Sequence, residues 1–418
     1  MTTRVLIAGV STRAAAESAA KAGFRVTALD AFGDLDQHPS VRSLSLPRDF
    51  GARFTAHAAA RAAREIVCDA VAYLSPFENH PRAVDSINTG PSTSLRTSRA
   101  LWGNPPDVLR RVRDPFLLAG FLRRRGFSTP ITRVDVSAEA QDWLVKPFRS
   151  GGGQGVRRWL PGTRVPLGCY AQQHIDGFPA SIVFVAANRQ VVPLGISHQL
   201  VGDVACGASG YRYCGNVLAP ADDPILSDTV LSSTADLARS VTAEFALVGL
   251  NGIDFIVRDG IPYALEINPR WSASMELVER AYGVSMFGIH AAACVNDVLP
   301  AFDLKQARRR RPTMGKAIVF AREALTAGAT HRFLDDEMVK DIPRPGDHIS
   351  VGEPICTVFE EDTDLERCRG GLRRRAQSIM SAIAVMTMLA LSTASASAQE
   401  IRGSDSGQKS VFSLPASL

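Results

Sequence analysis

Lysine is scarce in this 418-residue chain. Six of the 47 cationic side chains are lysine (21, 146, 305, 316, 340 and 409) and the other 41 are arginine. A lysine kept against that background is there for its own chemistry. The chain also lacks RNP-like aromatic and basic motifs and zinc-finger spacings, so its formal charge of +5 is diffuse arginine of the kind GC-rich coding produces. That excludes nucleic acid as the expected partner. None of the seven cysteines forms a CxxC pair, and an odd count over so long a chain excludes a disulfide framework and points to a reducing cytoplasm. At the N-terminus, MTTRVLIAGVSTR has too short an apolar run for a secretory signal and reads as a first strand. No run before residue 370 could span a bilayer, so a membrane is not expected as a partner. With 45% hydrophobic and 21% charged residues, the chain is neither disordered nor collagen-like, and its length suits two or three domains with real cores.

The C-terminal end is unusual. Residues 373–398 have a basic start, an apolar stretch and an Ala-x-Ala ending, the layout of a secretory signal at the wrong end of a chain. The apolar core from Ile379 to Leu391 falls short of the ~20 residues a span needs. A disordered or irregular tail is therefore expected over 366–418.

Before that tail, residues 4–10 (RVLIAGV) predict a buried strand. A Gly/Ser turn, an Ala-rich helix over 14–22 and a second strand ending at Asp30 follow. This opening is of the doubly wound α/β kind, in which ligands collect at the carboxyl ends of the strands. It has no GxGxxG. A third strand at 69–74 leads into SPFENHP, and after Pro105-Pro106 the segment FLRRRGFSTP reads as a helix with a glycine stop and a proline beyond. Strand and turn signals then dominate, apart from helices over 225–249 and 275–298. The expected domains are 1–105 (α/β), 106–300 (two α+β lobes) and 301–365 (a small β-rich piece after the RRRRP linker).

Three features carry chemistry. In WLVKPFRSGGGQGV, Lys146 near a strand end can meet phosphate oxygens, and Gly151, Gly152, Gly153 and Gly155 let backbone N–H groups close over them. A Walker loop would place the lysine after the glycines, so that reading fails. In YAQQHIDGFPASIVFV, a strand entering a turn can present Gln172, Gln173 and Ile175 to an adenine. In NGIDFIVRDGIPYALEINPRW, a hairpin around Asp259-Gly260 sets Asp254 and Glu266 on paired strands, with Asn268 and Arg270 at period two from Glu266 on the same face. Two carboxylates and an amide oxygen make a hard, oxygen-only set suited to Mg²⁺ shared with nucleotide phosphates. Arg270 is placed to steady a transferring phosphoryl group or a substrate carboxylate.

Taken together, these segments resemble the ATP-grasp superfamily over roughly residues 1–365. The opening GVSTR and the stretch Asp30-Ala-Phe-Gly-Asp-Leu-Asp36 are similar to the carboligase branch, which includes the ligase joining glutamate to tyramine in methanofuran assembly and proteins of methanopterin-type cofactor pathways. The resemblance implies a pre-ATP-grasp Rossmann-like domain, a two-lobed ATP-grasp fold and a small β-rich C-terminal piece. It also implies ATP with one or two Mg²⁺ ions held by Asp254, Glu266 and Asn268. Lys146 would meet the α/β-phosphates and Arg270 the acyl-phosphate step. The implied function is a carboxylate–amine ligase acting on small molecules, glutamate or a similar acid among them, in the making of a one-carbon carrier cofactor; a homodimer is the assembly to look for.

Two departures stand out. Many relatives have a second nucleotide lysine where this chain reads RVRDPFLLAG, so Arg113 takes that role or nothing does. Several have an arginine where Gly252 stands. Two other readings remain: a carboxyphosphate-forming carboxylase, and a nucleotide-sensing protein with a decayed acceptor site. Among lesser features, Cys206 and Cys214 lie in a glycine-rich loop without a metal-site spacing. Glu276 and Glu279 either face the acceptor or are solvated, His174 reads as a strand histidine, and Ser11, Thr12 and Arg13 at a strand end suggest an anionic substrate.

Overall fold

A computed structural model describes residues 2–89, 99–136, 142–310 and 312–383. The first domain is a five-stranded parallel sheet of β1 (Arg4–Ala8), β2 (Arg25–Asp30), β3 (Arg42–Ser45), β4 (Ala70–Tyr73) and β5 (Ala100–Trp102), in the order β3-β2-β1-β4-β5. β1 and β4 are apolar on both faces because helices cover both, as the run VLIA predicts. The order reverses beside β1, so the loops after β1 and β4 part there and leave an open edge facing the rest of the chain.

A small antiparallel sheet follows, ordered β6-β9-β7-β8: β6 (Thr132–Arg133), β7 (Trp143–Pro147), β8 (Arg157–Arg158) and β9 (Cys169–Gln173). The glycine loop joins β7 to β8. The third sheet is built from β10 (Phe178–Ala187), β11 (Gln190–Val201), β12 (Tyr213–Leu218), β13 (Gly249–Arg258), β14 (Ile261–Asn268) and β15 (Thr313–Phe320), continued by two later strands. Between these lie β16 (Leu325–Thr326) paired with β18 (His348–Ile349), and β17 (Val339–Lys340) and β19 (Pro354–Asp362) complete the large sheet in the order β14-β13-β10-β11-β12-β15-β19-β17. The β-rich C-terminal piece thus has no separate large sheet of its own: β15 pairs with β12 and extends the second lobe.

Helix Asp228–Phe245 packs its apolar face on this sheet, and helices Ala273–Tyr282 and Met286–Asn296 fill the space between it and the first domain. There Phe24 meets Trp102 and Phe287 edge to face, which ties the parallel sheet to helix Met286–Asn296. The expectation of irregular chain from 366 is corrected for its first part. Residues 365–383 are helical, and Cys368, Leu372, Ala376, Ile379 and Ile383 at helical spacing are buried against β15 and β19. The rest of the signal-like segment lies outside the described residues. Among those described, no helix is long and apolar enough to cross a membrane, and all seven cysteines are free.

Candidate active site

The β13/β14 hairpin turns on Asp259 (φ 52°) and Gly260 (φ 72°), the two positive φ values that a two-residue turn of this kind requires. Its register sets Asp254 directly opposite Glu266 and Gly252 opposite Asn268. Asp254 accepts hydrogen bonds from Gln199 Nε2 and Asn268 Nδ2, each at 2.9 Å. Glu266 pairs with Arg113 at 3.1 Å, and Arg113 also donates to the Ile267 carbonyl and to Asn79 Oδ1. Burial, and then the facing Glu266, raise the Asp254 carboxyl; burial also acts to raise Glu266, but Arg113 and Lys146 outweigh it and hold Glu266 below its ordinary value. Two carboxylates forced together in this way want a cation between them. The donors are all oxygen, so Asp254, Glu266 and the Asn268 amide oxygen fit Mg²⁺ rather than zinc.

Across from the hairpin, a cleft is lined by Arg113, Lys146, Phe148, Ser150, Tyr170 and Glu266, among others. Lys146 Nζ is 3.1 Å from Gln172 Oε1. The glycine loop is folded against the segment before β12: Tyr213 N donates to the Gly152 carbonyl at 3.0 Å, and a Cβ on Gly153 (φ +75°) would lie 1.8 Å from the Tyr211 carbonyl oxygen. Gln173 Oε1 accepts from Ile131 N and Ile175 is buried, so neither lines this cleft. The structure therefore gathers Lys146, Arg113, Glu266, Asp254, Asn268 and Arg270 at one place and leaves Gln173 and Ile175 at its margin.

Arg270 lies between the hairpin and the first domain. Its Nη2 meets buried Glu78 at 2.8 Å, while Arg270 Nε and Glu78 Oε2 are buried with no partner. The sequence reading missed Glu78, Gln199 and Tyr213, whose hydroxyl donates to Asn216; SPFENHP and a lone Gln in an apolar strand were the available signals. It also missed Lys316, which donates to buried Glu276 at 2.6 Å and was already marked out by the rarity of lysine. Arg13 is wholly buried and its N–H groups are taken by Glu17, Glu276 and Asp341, so it is not open to an anionic substrate. Glu279 accepts from Ser18 and Met286 N, and His174 sits 3.4 Å from Asp176 at the strand end.

Two antiparallel sheets thus meet at a lysine, a glycine loop and a carboxylate hairpin, beside a parallel-sheet domain. Residues 112–274 match the family profile described as an ATP-grasp domain. An uncharacterized protein of Methanocaldococcus jannaschii is 24% identical over 281 residues, 62% of this chain and 63% of that protein. The carbamoyl phosphate synthase large chain of Myxococcus xanthus is 28% identical over 259 residues, 56% of this chain and 24% of that one. The chain thus spans less than two thirds of the length of either relative. Among solved structures, the L-amino acid ligase of Bacillus licheniformis matches with a TM-score of 0.61 at 17% identity, over 89% of this chain and 96% of that one. N5-carboxyaminoimidazole ribonucleotide synthetase of Thermotoga maritima matches at 0.59 and 16%, over 90% and 98%. At such identities the likeness is one of fold.

Proposed function

We propose that the protein is an ATP-dependent carboxylate–amine ligase that works through an acyl phosphate in the cytoplasm, taking glutamate or a similar small acid and serving the making of a one-carbon carrier cofactor. The observation that carries this reading is the register of Asp254 against Glu266, with Lys146 and Arg113 facing them across the cleft. Asp254, Glu266 and Asn268 would hold Mg²⁺, which supplies charge neutralisation at the β- and γ-phosphates. Lys146 and the N–H groups of the glycine loop orient the phosphates, and Arg113 takes the place of the second lysine that many relatives have. A substrate carboxylate oxygen forms a bond to the γ-phosphorus as the bond to ADP breaks. Arg270, whose buried Nε has no partner, would donate to the acyl phosphate. The amine nitrogen then bonds to the acyl carbon, phosphate leaves, and the amine gives up a proton. Most of the catalysis is positioning and charge neutralisation.

In the presence of the required acid and amine, Glu266→Ala should abolish ADP formation; an unchanged rate would falsify the reading. Carboxyphosphate formation is the second reading, favoured by the likeness to carbamoyl phosphate synthase and to the synthetase named above. ADP release that needs bicarbonate and no other acid would select it.

A further inference from the structure

The loops after β1 and β2 meet the segment 336–347 in a buried cluster of charge. Resting on the ligase reading above, we propose that this cluster is the subsite for an ammonium group of the amine substrate, with Asp34 as the group that binds it. The first ground is the bookkeeping of partners. Asp30 accepts from Thr12 N and Oγ1 and from Phe32 N and Gly33 N. Asp36 accepts from Asp341 N and Ile342 N. Asp341 and Glu276 each take an N–H of Arg13, and Glu276 also takes Lys316. Asp34 alone of the cluster has an oxygen, Oδ2, buried without a partner, although the residue is only 4% exposed.

The second ground is charge. Asp30, Asp34, Asp36, Asp341 and Glu276 meet only Arg13 and Lys316 as ion-pair partners among the described residues. Two nearby guanidinium groups turn to backbone: Arg48 Nη2 donates to the carbonyls of Phe32 and Gly33, and Arg344 Nε to that of Gly33. Burial, then Asp341, Asp30 and Asp36, push the Asp34 carboxyl well above the ordinary carboxylate range against the opposing pull of Arg13. A buried carboxylate in that setting either takes up a proton or receives a cation. One free carboxylate oxygen, with the other carboxylates of the cluster already taken, fits an ammonium with hydrogens to donate.

The third ground is place. The cluster lies at the carboxyl ends of the parallel strands, where ligands of such sheets collect. Solvent reaches this edge, since Val10, whose carbonyl accepts from Ala31 N at 3.2 Å, is 38% exposed. Glu276 lies on the helix that starts just after Arg270, and Tyr213 is within electrostatic reach of both Asp254 and Glu276. A substrate amine here is on the acceptor side of the reaction centre.

The test uses the full chain with Mg-ADP bound and a panel of simple amines (ethylamine, 1,4-diaminobutane, 2-aminoethanol), with 1,4-butanediol as the uncharged control, followed by calorimetry. The expected result is binding of at least one amine but not the diol, weakened about tenfold or more in Asp34→Asn. Asp34→Asn should also melt no lower than the wild type, because the carboxyl it replaces has a buried oxygen without a partner. A melting point lowered by several degrees would make Asp34 a structural carboxylate and overturn the proposal. So would equal binding by the variant, or no binding by any amine in the panel. If an amine binds through Asp34 and yet no acid and amine pair yields ADP, the ligase reading fails and the subsite stands.

Discussion

His290 joins the two halves of the molecule, and its protonation should loosen them. Its Nδ1 accepts from Leu250 N on β13 at 3.0 Å, and Nε2, carrying the proton, donates to the Trp102 carbonyl at the end of β5 at 3.3 Å. Only glycine at 249 leaves room for the ring, since a Cβ there would lie 2.5 Å from Nδ1. Burial lowers the imidazole to about 4 from an ordinary 6.5, with the Trp102 carbonyl pulling the other way. The folded state therefore binds this proton more weakly than the unfolded chain. The stability involved is fully present above pH 6.5, falls as pH drops through that value, and is gone near pH 4. A shift of that size corresponds to about 3 kcal/mol in full, of which about 2 kcal/mol is lost between pH 7 and pH 5. Buried carboxylates such as Asp34 titrate with the opposite sign, so the assay must isolate the histidine. Urea unfolding of wild type and His290→Gln at both pH values does so, because a glutamine amide can accept and donate at the same two places without titrating. The advantage of the wild type over the variant should shrink by about 2 kcal/mol on going to pH 5; parallel pH dependence in the two proteins would refute the reasoning.

Three further outcomes are expected. Lys146→Met should weaken ATP binding by about 1.5–3 kcal/mol, the range for a hydrogen bond to a charged group, with little change in melting temperature, as read by calorimetry and thermal unfolding. Gly153→Ala, which needs φ +75° and drives a methyl into the Tyr211 carbonyl, should open the glycine loop from residues 211–213 and lower nucleotide affinity; amide exchange at Tyr213, now bonded to the Gly152 carbonyl, should rise. Lys316→Met leaves Glu276 with Arg13 alone and should lower stability by about 3 kcal/mol in denaturant unfolding.

The parts of the site visible in the sequence were those set by local rules. Alternation along β13 and β14 and the Asp-Gly turn fixed which carboxylates face each other, and the order of lysine and glycines marked the loop between β7 and β8. What escaped was long-range. Arg13 and Glu276 are 263 residues apart and meet only because helix Ala273–Tyr282 packs beside the parallel sheet. Lys316 sits in a run that reads as core strand, so its scarcity was the sole hint of its pairing. The fusion of β15 and β19 with the second lobe has no local signal either, since any exposed strand edge offers the same backbone groups. Helix 365–383 was obscured because its second half belongs to the signal-like run 373–398, although its buried side chains keep the helical period.

The central claim is that a carboxylate of the substrate is activated by phosphoryl transfer before an amine attacks it. It is tested most directly by supplying a pool of small acids labelled with ¹⁸O in the carboxylate, together with amines and Mg-ATP, and analysing the released phosphate by mass spectrometry. The account predicts one ¹⁸O carried into phosphate per turnover, in a reaction that needs the acid, and none with Glu266→Ala. Phosphate released without label, or a release that needs bicarbonate and no other acid, would contradict it.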